Sequence, residues 1–92
     1  MARILYKIRD VRTKGKDERF STGSAYPQFR KGGKTWTKIG HVKSHLTMIK
    51  QDLDHATRYL HLSQHKDHAK YLDDYLKNAE IVEYELRERR VI

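Results

Sequence analysis

The chain has no cysteine, which excludes disulfides and any thiolate-ligated metal centre and fits a reducing compartment. It has no apolar run near the ~20 residues that a membrane-crossing helix needs. The opening MARILYK lacks the apolar core of a signal peptide. The expectation is a cytosolic protein with no membrane partner. Nucleotide-binding glycine fingerprints, HExxH pairs and GxSxG turns are also missing. Asp73 and Asp74 are adjacent and therefore point in different directions on a helix. No set of groups suited to acid–base or nucleophilic chemistry stands out, so the expectation is a binding protein, not an enzyme, with no cofactor.

Proline and tryptophan occur once each, as Pro27 and Trp36, and glycine only five times. Four of the five glycines and both single residues fall between Ser21 and Leu46. That concentration marks the stretch as the unusual part of the chain. With 92 residues the protein is expected to form one domain, 1–92, with a thin core.

What the chain does have is positive charge. The net charge is +8, and most of it lies in residues 12–38, where eight Lys/Arg face only Asp17 and Glu18. A basic excess placed in one region points to a polyanionic partner, nucleic acid first. The alternative is a lysine-rich surface that serves solubility alone.

Ile4, Tyr6 and Ile8 alternate with Leu5, Lys7 and Arg9 and predict a strand with one buried face. Arg19–Thr22 can return as a second strand, after which 23–34 reads as a loop. Thr35–Lys38 is β-prone and predicts a short third strand. Val42, Leu46, Ile49, Leu53, Ala56 and Leu60 recur at spacings of four and three. They predict a helix of about five turns beginning near Gly40. This seam has heptad-like spacing and could serve a homodimer, so monomer and homodimer both stay open. His61–Asp67 interrupts the pattern, and Ala69, Leu72, Leu76 and Ala79 predict a second helix that stops at Asn78. Ile81–Leu86 predicts a last strand with Val82, Tyr84 and Leu86 on one face and Glu83 and Glu85 on the other. Its charges complement Lys7 and Arg9, so the two terminal strands are expected to be neighbours with matched apolar faces. Residues 88–92 read as a charged, frayed tail. The sum is an α+β fold: a small, mainly antiparallel sheet of three to four strands with two helices on one face.

Within this frame the candidate binding residues are Tyr26, Phe29, Arg30, Lys31, Lys34, Lys38, Gly40, His41 and Lys43. The unpaired N–H groups at the start of the long helix suit a phosphate, and Gly40 permits close approach. Lys38, His41 and Lys43 surround that end, while Arg30, Lys31 and Lys34 arrive from the loop. Tyr26 and Phe29 could stack on unpaired bases. Trp36 reads better as a core anchor, and His45 as a packed or loop-facing side chain, not a base. His61, His65 and His68 have spacing that could hold a metal on one helical face, but an exposed connector is the favoured reading.

The segments RILYKIRD, STGSAYPQFRKGGKTWTKIGHVKSHL and AEIVEYEL, with Gly33–Lys34–Thr35–Trp36, Gly40, His45–Leu46 and Ile81–Glu85 as their most distinctive pieces, together resemble a group of small, uncharacterised proteins of tailed bacteriophages. The resemblance implies a setting, the cytoplasm of an infected bacterium, and no particular activity. Two functions fit. One is an accessory protein that binds DNA or RNA through the basic loop and the helix start. The other is a stoichiometric inhibitor or modifier of a host protein that uses the same loop as its contact surface.

Overall fold

The computed structural model describes residues 2–59 and 63–87. Four strands, β1 (Ala2–Asp10), β2 (Phe20–Ser21), β3 (Phe29–Arg30) and β4 (Ala79–Arg87), form one antiparallel sheet in the order β3-β2-β1-β4. Two helices, α1 (Ile39–Arg58) and α2 (Ser63–Asn78), pack on one face of it. The fold is the α+β arrangement that the alternating and three-four patterns predict. A turn of 3-10 helix at Val11–Thr13 follows β1.

The seam of α1 is used inside the molecule. Val42, Ile49 and Ala56 are buried, and Leu46 and Leu53 pack against the core clusters. Ile8, Trp36 and Val42 form one cluster. Ile49, Leu72 and Tyr75 form the other, which brings α2 onto α1. Burying each such side chain contributes roughly 1.5–3 kcal/mol. Among the described residues the seam leaves no apolar stripe for a coiled-coil partner; Leu60, its sixth expected position, lies outside them.

Three local expectations change. Phe29–Arg30, read as part of a loop over 23–34, is strand β3 and pairs with Phe20 and Ser21. The β-prone Thr35–Lys38 stretch gives a single bridge, in which Trp36 and Tyr6 exchange both backbone hydrogen bonds at 2.8 Å. Helix α2 starts at Ser63 and takes in His65 and His68, so Ser63–Asp67 is helix where the sequence predicts a connector.

The terminal strands are neighbours, as their charges suggest, but in a different register. Asp10 pairs with Ala79, Ile8 with Ile81, Tyr6 with Glu83, Ile4 with Glu85 and Leu5 with Tyr84. Directly opposed residues share a face. Glu83 and Glu85 thus lie on the helix side with Tyr6 and Ile4, while Val82 and Tyr84 lie on the outer side with Lys7 and Leu5. The expected match of apolar faces does not occur. Of the basic residues of β1, Arg9 alone faces a carboxylate directly across the pair: its guanidinium bonds Glu80 at 2.9 Å and also Glu18, which lies outside β4, at 3.1 Å. The helices cover only one end of this ribbon. Along the inner side of β1, Asp10 and Ile8 are buried, Tyr6 is half-buried and Ile4 is exposed.

Candidate functional site

The candidate residues separate into three places. Phe29 lies on the inner side of the sheet, where its ring stacks on Tyr75 with centroids 5.1 Å apart and planes at 26°. It packs against both core clusters. Its face is taken, which corrects the expectation that it could stack on a base. Trp36 is buried, as the β-prone setting suggested.

Tyr26 is 66% exposed. Its ring neighbour is His68 on α2, 5.1 Å away. Arg30 lies on the outer side of the sheet, opposite Phe20, with its guanidinium bonded to the Gln28 side chain at 2.8 Å. Lys31 is exposed in the turn that follows.

The third place is the start of α1. Lys34 Nζ stands 5.2 Å from the centre of the Trp36 ring, a cation–π contact. Lys34, Trp36, His41, Ser44, His45 and Met48 border an open cavity of about 390 Å³, and Gly23 closes one side. No carboxylate borders it. Lys38 occupies the N-cap position with no side-chain hydrogen bond to the helix. A Cβ built on Gly40 would meet nothing within 4 Å, so this turn of backbone is open to an approaching group. His41 and Lys43 are exposed.

This helix start breaks local rules. Ser, Thr, Asp and Asn are preferred at an N-cap because they satisfy an orphan N–H, by about 0.5–2 kcal/mol relative to a non-capping residue. Acidic residues are favoured in the first turn by the macrodipole. Here a lysine stands at the cap and no acid in the first turn. Positive side chains are placed on the positive end of a helix, a local conflict of the kind that accumulates at functional positions.

Beneath the cavity runs a buried polar chain that the sequence did not reveal. The Tyr75 hydroxyl bonds Ser21 Oγ at 2.7 Å and His45 Nε2 at 3.0 Å. The Gly23 N–H donates to Ser21 Oγ at 3.1 Å. Ser21 is fully buried, so its oxygen reaches no substrate. The trio ties β2 to both helices. His45 confirms the packed reading. Its partners lie 54 and 30 residues apart in pairs, and no local pattern connects them.

Burial, helped by the charge of Lys34, lowers the His45 pKa below its usual value. Burial pushes the Tyr75 hydroxyl up to about 12. A depressed folded-state histidine contributes stability that is present above the unfolded value near 6.5 and is lost as pH falls below it. A raised tyrosine contributes stability that is present below its unfolded value of 10.0 and is lost as pH rises toward 12. Denaturant midpoints measured across pH should therefore fall on both sides of a plateau between about 7 and 10. In His45→Gln the acid-side loss near pH 6 should shrink; an unchanged acid limb would remove His45 from the account.

Among the described residues no group of three His, Asp or Glu stands close enough to hold a metal ion. His61 and the side chain of His65 lie outside them, as do residues 88–92. Among the described residues no helix is long and apolar enough to cross a membrane. Compared with protein-family models, with curated proteins and with solved structures, the chain finds no match.

Proposed function

We propose that this protein binds nucleic acid through the basic surface at the start of α1 and the adjoining Arg30–Lys34 turn. The observation that carries the reading is the uncapped helix start. Lys38 sits at the cap, Lys34 and His41 border a cavity that no described carboxylate lines, and Lys43 is exposed on the same turn of helix. The orphan N–H groups of the first turn, with Lys34, Lys38 and Lys43 near them in the chain, suit a phosphate. Lys34, held over Trp36, supplies the most fixed of these charges. Phe29 has no part in the contact, and Tyr26 adds to it only if the bound strand reaches α2. In the setting that the phage resemblance implies, the ligand is nucleic acid of the infected cell.

Two substitutions test this. Lys38→Ser restores a capping hydroxyl, so it should raise stability by about 0.5–2 kcal/mol. It should also lower the salt dependence of binding by about one unit of log–log slope, as expected for one lost phosphate contact. Lys31→Glu with Lys34→Glu should weaken binding about tenfold or more at low salt and lower the slope by about two. Fluorescence anisotropy with labelled oligonucleotides reads both. Unchanged slopes would take these lysines out of the interface. Retention of one host protein from nuclease-treated lysate, with no oligonucleotide binding, would favour the inhibitor reading.

A further inference from the structure

The sheet has a second face, and the register of β1 against β4 decides its character. The outer side carries Leu5, Lys7 and Arg9 from β1, Phe20 and Arg30 from β2 and β3, and Val82 and Tyr84 from β4. No helix covers it. Phe20 and Tyr84 meet edge to face, centroids 6.4 Å apart at 67°. With Leu5, Lys7 and Thr35 they border an open, largely apolar cleft of about 350 Å³, within the usual size range of small-ligand sites.

Charge on this face is sorted. Glu83 and Glu85 are turned to the helix side by the register. The outer carboxylates Glu80 and Glu18 are both engaged by Arg9. Among the described residues no ion pair neutralises Arg3, Lys7 or Arg30. Lys7 Nζ lies 4.6 Å from the centre of the Phe20 ring and donates one hydrogen bond, at 2.7 Å, to the Gly32 carbonyl. An ammonium has three donors, so two remain for a ligand at the mouth of the cleft. The exposed Thr35 adds a hydroxyl at the rim.

We propose that this outer sheet face is a site for single-stranded nucleic acid, separate from the α1 surface. One unpaired base enters the cleft against the Tyr84 and Phe20 rings, and Arg3 and Lys7 contact the flanking phosphates. Aromatic rings beside unneutralised cations accept an exposed base and its backbone together. A paired base keeps its faces within the stack and cannot enter such a cleft, so the face selects single strands over duplex. The inference rests on the reading of the protein as a nucleic-acid binder, and its residues are independent of Lys34, Lys38 and Lys43.

The test is anisotropy at low salt with labelled oligothymidylate, oligouridylate and a duplex. Wild type should bind the two single strands more tightly than the duplex; the difference between them identifies DNA or RNA. Tyr84→Leu keeps an apolar side chain but removes the ring. It should weaken single-strand binding about tenfold and leave duplex binding unchanged. Tyr84→Phe should bind as wild type. Should Tyr84→Leu fail to fold, Lys7→Gln provides the second arm, with weaker single-strand binding and a salt slope lowered by about one. Equal affinity for single and double strands, or single-strand binding unchanged in the ring and lysine variants, overturns the sheet-face site and leaves the α1 surface standing. No binding of any probe overturns both.

Discussion

Replacing Gly33 with alanine should destabilise the protein by about 2–4 kcal/mol, the sum of a left-handed backbone cost and an overpacking cost. The residue has φ +62°, and a Cβ there would lie 2.5 Å from Phe20 Cβ, 2.7 Å from the Phe20 carbonyl oxygen and 2.8 Å from its carbonyl carbon. Two of those three atoms are backbone, held in register by the pairing of Phe20 with Arg30 and Arg9, so no side-chain rotation relieves the contact. Gly32 supplies the control one residue away. It has no positive φ, and a Cβ there meets nothing within 4 Å. Gly32→Ala should be neutral or stabilising by up to about 1 kcal/mol, through the unfolded chain. Chemical denaturation of both variants reads the difference. Equal midpoints would mean that the turn does not lie against β2 as described. The consequence reaches function: Gly33 sets where Lys31 and Lys34 leave the sheet, so Gly33→Ala should also weaken binding at the α1 surface.

The second large effect belongs to Tyr75. Tyr75→Phe keeps the ring that stacks on Phe29 and removes the hydroxyl shared by Ser21 and His45. Both partners are buried. Removing a hydroxyl that leaves buried groups short of a partner costs about 1–3 kcal/mol. Tyr71→Phe is the comparison. Its hydroxyl donates to the Pro27 carbonyl, but the residue is 42% exposed and water can replace the bond, so the cost should stay below about 1 kcal/mol. If both variants lose the same stability, the buried chain beneath the α1 cavity has no special weight. The basic limb of the pH profile provides a second readout, because Tyr75→Phe removes the group that titrates there.

The helices were legible because each is long enough for a period to repeat. Val42, Leu46, Ile49, Leu53 and Ala56 mark one face over four turns, and the core uses that face. Trp36 was legible as an anchor from its β-prone neighbours. Strand β3 was not, because two residues cannot show a period and Pro27 with Gln28 suggests a loop. The β1–β4 register was misread for a different reason. Apolar matching selects a register only where one face is buried, and the outer half of this ribbon has no layer over it. The register is set instead where α2 ends: Asn78 passes directly into Ala79, which pairs with Asp10. That single step turns Tyr84 outward and Glu83 inward, and so creates the sheet-face cleft. The candidate site was half legible. Charge runs locate Lys34, Lys38 and Lys43 near the helix start, whereas the placing of Phe29 in the core and of Lys7 beside Phe20 depends on pairings across the sheet.

The division of charge also bears on self-association. Edge strand β4 carries Glu83 and Glu85, and charged side chains on an edge discourage strand-to-strand addition by another copy. The basic surfaces are thereby left as the parts of the molecule most suited to a partner.

The central claim is that positive charge at the α1 start and the neighbouring turn binds nucleic acid, and one titration tests it most directly. Purified protein is added to a labelled duplex, which the outer sheet face does not take, at a series of salt concentrations. With about five phosphate contacts, from Arg30, Lys31, Lys34, Lys38 and Lys43, affinity should fall about 100-fold or more between roughly 50 and 200 mM salt. Binding that is absent at low salt, or that does not weaken as salt rises, would contradict the account.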